Sequence, residues 1–172
     1  MSLCVYVNDV IIKVTSCGIG CHLGFACVNI ILYADDILLL APSISSLQAL
    51  LYICESELNS INMIINASKS NCLRIGPCWN CDVTIATRNG ASIEWSNGCS
   101  YLGIFVTSGA TFKCKFDAAK AKFYRSFNAI MCRAGSCASL EVLFSLMRSK
   151  CVPALLYGIE ACPVNTRETR SL

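Results

Sequence analysis

The sequence predicts an α+β fold, in which antiparallel strands and a helix occupy about the first 110 residues and a helical region follows. Short apolar runs rich in β-forming residues precede residue 110, and apolar residues take helical spacing after it. The chain of 172 residues is 55% apolar and 15% charged, which excludes a disordered chain. We therefore expect one domain at residues 1–110 and a helical one at residues 111–172.

The first predicted elements lead into a hairpin. Residues 3–13 are apolar and typical of a helix, and the glycines that follow predict a loop. Residues 28–33 and 37–41 are apolar runs on either side of Asp35 and Asp36, which predicts two buried strands joined by an acidic turn. The loop glycines are Gly18, Gly20 and Gly24.

The remainder of the first 110 residues alternates between helix and strand signals. Apolar residues at helical spacing after Ser43, a suitable amino-terminal cap, predict a helix over residues 45–61. The pair Asn89-Gly90 favours a tight hairpin turn. Strands are predicted at residues 63–66, 71–75, 82–87, 91–95 and 101–107.

From Phe112 onward the apolar residues recur at helical spacing as far as Ala134, and Gly135 ends the pattern. A second helix is predicted over residues 139–151, with a kink or an end near Pro153. The basic residues on or beside the side opposite the apolar stripe of the first of these helices are Lys113, Lys115, Lys120, Lys122, Arg125 and Arg133.

Charge is distributed unevenly. The net charge is +3, too small to identify a nucleic-acid-binding protein by itself. Residues 1–112 carry 4 basic and 7 acidic groups, whereas residues 113–150 carry 8 basic and 2 acidic groups. The later region is therefore the candidate surface for an anionic partner, although a basic helix face is also often merely solvated.

Asp35 and Asp36 are the strongest chemical signal. Two adjacent carboxylates beside buried strands repel one another and resist desolvation, so a cation is expected to compensate them. A tight turn directs both toward one solvent-facing site, and Mg²⁺ prefers such oxygen ligands. Taken alone, the pair is more typical of an exposed acidic hairpin turn.

The context of this pair resembles the reverse transcriptases of non-LTR, LINE-type retrotransposons. Tyr33-Ala34-Asp35-Asp36 matches their catalytic hairpin, and Ile65–Ser70 matches their Asn-x-x-Lys-Ser/Thr stretch. Ser100–Ile104 is similar to their Tyr-Leu-Gly primer-grip segment, and Pro153–Glu160 to a Pro-x-Leu-Leu-Tyr-Gly-x-Glu stretch. The motifs occur in the family's order across almost the whole chain.

The resemblance implies a role for each matched residue. Asp35 and Asp36 would bind Mg²⁺ in a two-metal centre, and Lys69 would assist the departing pyrophosphate. The basic residues listed above would hold an RNA template and DNA primer duplex, and deoxynucleoside triphosphates would be substrates. Residues expected near the primer or incoming nucleotide are Tyr33, Ala34, Tyr101, Leu102 and Gly103.

The chain also departs from the family pattern. A third metal-binding aspartate is expected on an upstream strand, but Asp9 is the only acid before Asp35. Asp9 lies in Tyr6–Val10, which resembles the Tyr-Ile-Asn-Asp-Leu segment that follows a Pro-Gln-Gly-type motif. We therefore expect the carboxyl-terminal palm and thumb of a polymerase whose upstream half is missing, inactive alone and poorly soluble. A non-catalytic nucleic-acid-binding remnant is the alternative.

Secretion and membrane insertion are disfavoured. The amino end lacks a basic leader and a long apolar stretch, so we expect no signal peptide, an intracellular location in the nucleus or cytoplasm, and reduced cysteines. Residues 14–34 and 37–54 are uncharged runs, but glycines, Pro42 and polar residues interrupt them, and a membrane hairpin is the least favoured alternative. The pair Cys78 and Cys81 has no second Cys-x-x-Cys to complete a zinc site.

Overall fold

A computed structural model describes residues 3–77 and 83–163, with the side chains of the first helix described from residue 8. The chain divides into two compact units. One holds Met1–Cys72 and Cys81–Trp95, and the other holds Leu73–Asn80 and Ser96–Leu172. Both contain helices and antiparallel strands, so the α+β prediction is confirmed. The expected division near residue 110 concerns functional domains rather than compact units and stays a prediction.

The first unit combines two helices with hairpins and a small sheet. β1 pairs with β2 and β3 with β4, while β7 pairs in parallel with β5 and in antiparallel with β6. The predicted glycine loop therefore contains a hairpin, and the predicted strand at residues 63–66 is wrong. The elements are α1 (Leu3–Ser16), β1 (Cys21–Leu23), β2 (Ala26–Val28), β3 (Ile30–Tyr33), β4 (Asp36–Leu39), α2 (Ile44–Ser60), β5 (Asn71–Cys72), β6 (Ile85–Ala86) and β7 (Ser92–Trp95).

Helix α2 forms where its cap and apolar spacing predict it. The Ser43 hydroxyl accepts a hydrogen bond from the Ser46 backbone N–H at 3.1 Å and so caps the first turn. Leu50, Cys54 and Leu58 recur every four residues and are buried with α1 residues in the core of this unit. The packing of α1 against α2 thus supports the hairpin β3–β4, whose inner residues cover the same core.

Asn29 joins the end of α1 to the strand that precedes the acidic turn. Its side chain is buried, and its Nδ2 donates to the carbonyl oxygens of Val14 at 2.6 Å and Ile19 at 3.0 Å. The backbone carbonyl oxygen of Asn29 accepts a hydrogen bond from the backbone N–H of Leu40 at 2.8 Å, just beyond the end of β4. A buried amide without such partners would be destabilising, so these bonds hold the hairpin against the helix.

The second unit consists of a three-stranded antiparallel sheet in the order β10-β9-β8 and a run of helices. Cys114, Phe116 and Cys162 form its buried cluster, with Ile104 and Val106 packed against them. The elements are β8 (Gly98–Tyr101), β9 (Ile104–Thr107), β10 (Lys113–Lys115), α3 (Asp117–Ala134), α4 (Leu140–Leu146), a π-helical turn (Met147–Cys151), α5 (Val152–Leu156) and a 3₁₀ turn (Ile159–Ala161).

Two sequence predictions for this unit are wrong. Residues 101–107 form a hairpin rather than a single strand, because Leu102 and Gly103 adopt positive φ angles of 48° and 82° and reverse the chain. The basic helix begins at Asp117 rather than at Phe112, because Lys113–Lys115 pairs with β9 and buries Cys114 beneath the sheet. Lys113 and Lys115 therefore lie on a strand.

Leu140–Ala161 is a helical run of 22 residues whose most apolar window has a mean hydropathy of 1.3 and is 11% buried. Within the described residues it is the one run with the length and composition of a membrane span, and it includes Arg148 and Lys150. The uncharged runs at residues 14–34 and 37–54 contain the strands β1 to β4 instead of continuous helices. Length and composition alone do not assign the chain to a membrane.

Candidate active site

The acidic turn is the tip of the hairpin β3–β4. Tyr33 pairs with Asp36, which leaves Ala34 and Asp35 as a two-residue turn. Ala34 adopts a φ of 54°, a conformation that side-chain-bearing residues rarely adopt and that tight hairpin turns require. The pairing on both sides of the turn therefore holds both aspartates within one reversal of the chain.

The two faces of this hairpin have different roles. Leu32 and Ile37 face each other across the strands and pack on the core, together with Ile30 and Leu39. Side chains alternate between faces along a strand, so Tyr33 and Asp36 share the opposite, outer face. Tyr33 is 62% exposed, and Asp35 and Asp36 are both exposed. The acidic tip thus projects from a buried support into solvent.

The chemistry of Asp35 and Asp36 fits part of a Mg²⁺ site. Neither carboxylate forms a salt bridge with any residue in the described ranges, so their oxygens are available. Mg²⁺ is commonly held by one or two carboxylates together with water and substrate phosphates. Across residues 3–77 and 83–163 no three His, Cys, Asp or Glu side chains gather at one point. Asp9, an exposed residue of α1, therefore does not complete the pair.

Lys69 lies on a turn that Asn66 organises. The Asn66 carbonyl oxygen accepts from Lys69 N at 3.1 Å and Ser70 N at 3.0 Å, and its Oδ1 accepts from Ser68 Oγ at 2.7 Å. Lys69 itself is exposed. It belongs to the same compact unit as the acidic tip, but no ion pair joins the two among the residues described. The sequence motif named Lys69, whereas the structural role of Asn66 was missed.

Tyr101, Leu102 and Gly103 form the reversal of the hairpin β8–β9. A Cβ atom at Gly103 would lie 3.1 Å from the Tyr157 ring, and a Cβ atom at Gly158 would lie 2.5 Å from Cδ1 of Ile104. The hairpin reversal at residues 101–104 and the motif at residues 153–160 therefore pack closely against each other, and the glycine of each leaves room for a side chain of the other. The sequence identifies Tyr157 and Gly158 only as part of the motif at residues 153–160, and no spacing rule predicts this contact.

The candidate nucleic-acid-binding residues occupy two elements of the second unit. Lys120, Lys122, Arg125 and Arg133 lie on α3, and the last three of these are exposed while Lys120 is half-buried. Lys113 and Lys115 are exposed on β10. The half-buried side of α3 includes Phe123 and Phe127, whose rings stack with centroids 6.3 Å apart. Exposed charges thus lie on the side away from the apolar stripe, as predicted for the α3 residues.

In the described part of the chain, no group of three or more His, Cys, Asp or Glu side chains could hold a metal ion. Burial, and secondarily the charge of Glu55, raises the pKa of the Cys54 thiol to about 11, and burial also raises the pKa of Cys99. Burial therefore favours the neutral form of both thiols. Cys78 and Cys81 lie outside the described residues.

Comparison with known families identifies the class of this chain. The family described as "Reverse transcriptase (RNA-dependent DNA polymerase)" matches residues 2–106, which is more than half of the chain. No curated protein and no solved structure matches it significantly. The chain therefore belongs to the reverse transcriptase family. The matched region contains the acidic tip, the Lys69 turn and the reversal at Leu102 and Gly103, and it ends before β10.

Proposed function

We propose that this chain is the carboxyl-terminal palm and thumb of an RNA-directed DNA polymerase from a non-LTR, LINE-type retrotransposon. The observation that carries the proposal is the exposed pair Asp35 and Asp36 on a tight hairpin within the region matched by the family. In the intact enzyme the reaction would be nucleotidyl transfer to a primer 3′-hydroxyl. Residues 1–110 would form the partial palm and residues 111–172 the thumb-like region.

The residues of the acidic tip and Lys69 would divide the chemistry between them. Asp35 and Asp36 would hold Mg²⁺, which supplies Lewis-acid stabilisation of the phosphate charge and activation of the primer hydroxyl. Lys69 would place its ammonium group beside the departing pyrophosphate. Tyr33 and Ala34 would border the primer terminus and the incoming deoxynucleoside triphosphate, since they share the tip with the carboxylates.

The second unit would hold the template and primer. The basic residues of α3 and β10 would contact phosphates of the template and primer, contacts that position the nucleic acid without reading its sequence. The reversal at Tyr101, Leu102 and Gly103 would support the primer strand. The exposed charges of α3, and its lack of any buried residue, support an interface role for this helix.

We further propose that this chain does not polymerise by itself. No third carboxylate joins the acidic pair in the described residues, and Asp9 lies on a helix rather than on a strand beside it. The upstream polymerase half would supply the third aspartate. A non-catalytic nucleic-acid-binding remnant is the second candidate function. The absence of a third carboxylate beside the acidic pair in the described residues favours it. In either case we place the protein inside the cell, in the nucleus or cytoplasm.

Binding to a duplex tests the nucleic-acid role. The affinity of the 172-residue chain for an RNA–DNA primer–template should fall steeply as salt rises, because each phosphate contact releases counterions. Replacing Lys122 and Arg125 by Gln should reduce the slope of log affinity against log salt concentration by about 1 for each phosphate contact that is lost. Arg148→Gln, an exposed change outside α3, is the matched control. Affinity without salt dependence, or partition into lipid vesicles instead, would contradict this role.

Primer extension with Mg²⁺ tests the catalytic role. We expect that this chain does not extend the primer. A longer protein that also includes the residues encoded upstream should extend it. Asp35→Asn in the longer chain should abolish extension while leaving duplex affinity nearly unchanged. Extension by the 172-residue chain would refute the proposed incompleteness, and binding without extension by the longer chain would favour the non-catalytic remnant.

A further inference from the structure

The sheet β10-β9-β8 has one covered face and one open face. Cys114 and Val106 face each other in the pairing register and pack into the buried cluster of the second unit. The residues between them point the other way, because side chains alternate along a strand. Lys115 is directly opposite Phe105, and Lys113 is opposite Thr107, so these four share the open face.

The Phe105 ring covers the glycine of the neighbouring strand. A Cβ atom at Gly98 would lie 2.6 Å from Cε1 and 2.9 Å from Cζ of Phe105, so the ring occupies the space that a side chain at residue 98 would need. Phe105 nevertheless remains 36% exposed. The absence of a side chain at Gly98 thus allows an aromatic ring to lie across the sheet with one side toward solvent.

The charged residues of this sheet are all basic. Lys113 and Lys115 are exposed, and neither forms a salt bridge with any residue that the structure describes. Residues 96–116, which contain the whole sheet, include no Asp or Glu. An aromatic ring flanked by lysines on an acid-free sheet face is complementary to a ligand that carries both planar rings and negative charge.

We propose that this open face binds single-stranded nucleic acid, with an unpaired base stacked on Phe105 and adjacent phosphates contacted by Lys113 and Lys115. Sheet faces that present aromatic residues recognise unpaired bases by stacking. A duplex does not offer this contact, because the faces of its bases are already stacked on one another. The proposal rests on the proposed function and assigns the two β10 lysines to an unpaired strand, separate from the duplex contacts of α3.

The test compares two single strands bound by the 172-residue chain. One is oligo(dT), and the other is an abasic oligonucleotide of the same length, which keeps the phosphates and lacks the bases. Stacking of one base predicts that oligo(dT) binds about 5- to 150-fold more tightly. Phe105→Leu should remove this difference, and Phe105→Tyr should retain it. Phe144→Leu, an exposed phenylalanine on α4, is the matched control.

The lysines are tested by salt dependence. Changing both Lys113 and Lys115 to Gln should lower the slope of log affinity against log salt by about 1.4 for both single strands, since each contact to a single strand contributes about 0.7. Equal affinity for the two strands, with salt-dependent duplex binding intact, would overturn this inference and leave the proposed function standing. Failure to bind single strand and duplex alike would overturn the proposed function as well.

Discussion

Helices α2 and α3 are nearly equal in length, with 17 and 18 residues, but they use their surfaces differently. α2 buries five residues, including Leu50 and Cys54, while α3 has no buried residue along its described length. α2 is therefore specified by packing and supports the acidic hairpin. α3 has exposed basic residues opposite a half-buried stripe, so its surface is free for the binding role that we propose for it.

The largest expected effect is at Leu50, which is fully buried in α2. Leu50→Ala should lower the free energy of unfolding by about 2–5 kcal/mol, since it removes buried methyl groups and leaves a cavity. Tyr124→Ala on α3, where the side chain is 62% exposed, should cost less than about 1 kcal/mol. Urea denaturation followed by circular dichroism measures both, and equal losses would remove the contrast between the helices.

Alkaline pH should act on α2 through Cys54. The pKa of this thiol is raised from 9.0 to about 11, chiefly by burial, so folding favours its neutral form. The unfolded thiol ionises first as pH rises, and the free energy of unfolding should fall by about 2 kcal/mol between pH 8 and pH 10.5. Below pH 8 this contribution is constant. Cys54→Ala should remove this part of the pH dependence, and an unchanged profile would contradict the burial of the thiol.

A smaller effect is expected at Gly158, which contributes tight packing to the unit that contains α3. Its φ is 70°, and an added Cβ would meet Ile104. Gly158→Ala should cost about 1–2 kcal/mol from the left-handed backbone alone. In an Ile104→Ala background the added cost should be lower, because the clash is gone. Strict additivity in this double-mutant cycle would show that the two residues do not touch.

The smallest stability effect is expected from the basic face of α3. Lys122→Gln with Arg125→Gln should change the free energy of unfolding by no more than about 0.5 kcal/mol, because both side chains are exposed. On α2, Gln48→Ala should cost about 1–2 kcal/mol, since the Gln48 side chain bonds both the N–H and the carbonyl of Ala86. A larger loss on α3 than at Gln48 would refute the assignment of α3 to binding.

The elements that the sequence predicted well are those with local causes. Ser43 and the four-residue spacing of Leu50, Cys54 and Leu58 are enough to define α2. The apolar runs around Asp35 likewise define the hairpin β3–β4, although the positive φ of Ala34 has no sequence signal. The role of the acidic pair was inferred from the family resemblance rather than from periodicity. The family match supports the resemblance over residues 2–106, and the role of the pair stays a prediction.

Two of the wrong predictions involve pairing between residues that are distant in the sequence. Phe112 and Phe116 continue the helical spacing of α3, but the pairing of Lys113–Lys115 with β9 overrides that spacing. Leu102 adopts the left-handed conformation because the strands on either side of it pair with each other. A Leu-Gly dipeptide does not by itself predict this conformation. The parallel pairing of β5 with β7 also has no local signal, since more than a dozen residues separate the two strands.

The bonds made by Asn29 limit what can change inside the first unit. Aspartate at this position would turn oxygens toward the carbonyls of Val14 and Ile19, and leucine would remove the amide donor that those two carbonyls share. The acidic tip is therefore steadied from within, by a side chain that no substrate would reach. Loss of this buried carboxamide would therefore disturb the placement of the acidic tip without changing any residue of the tip itself.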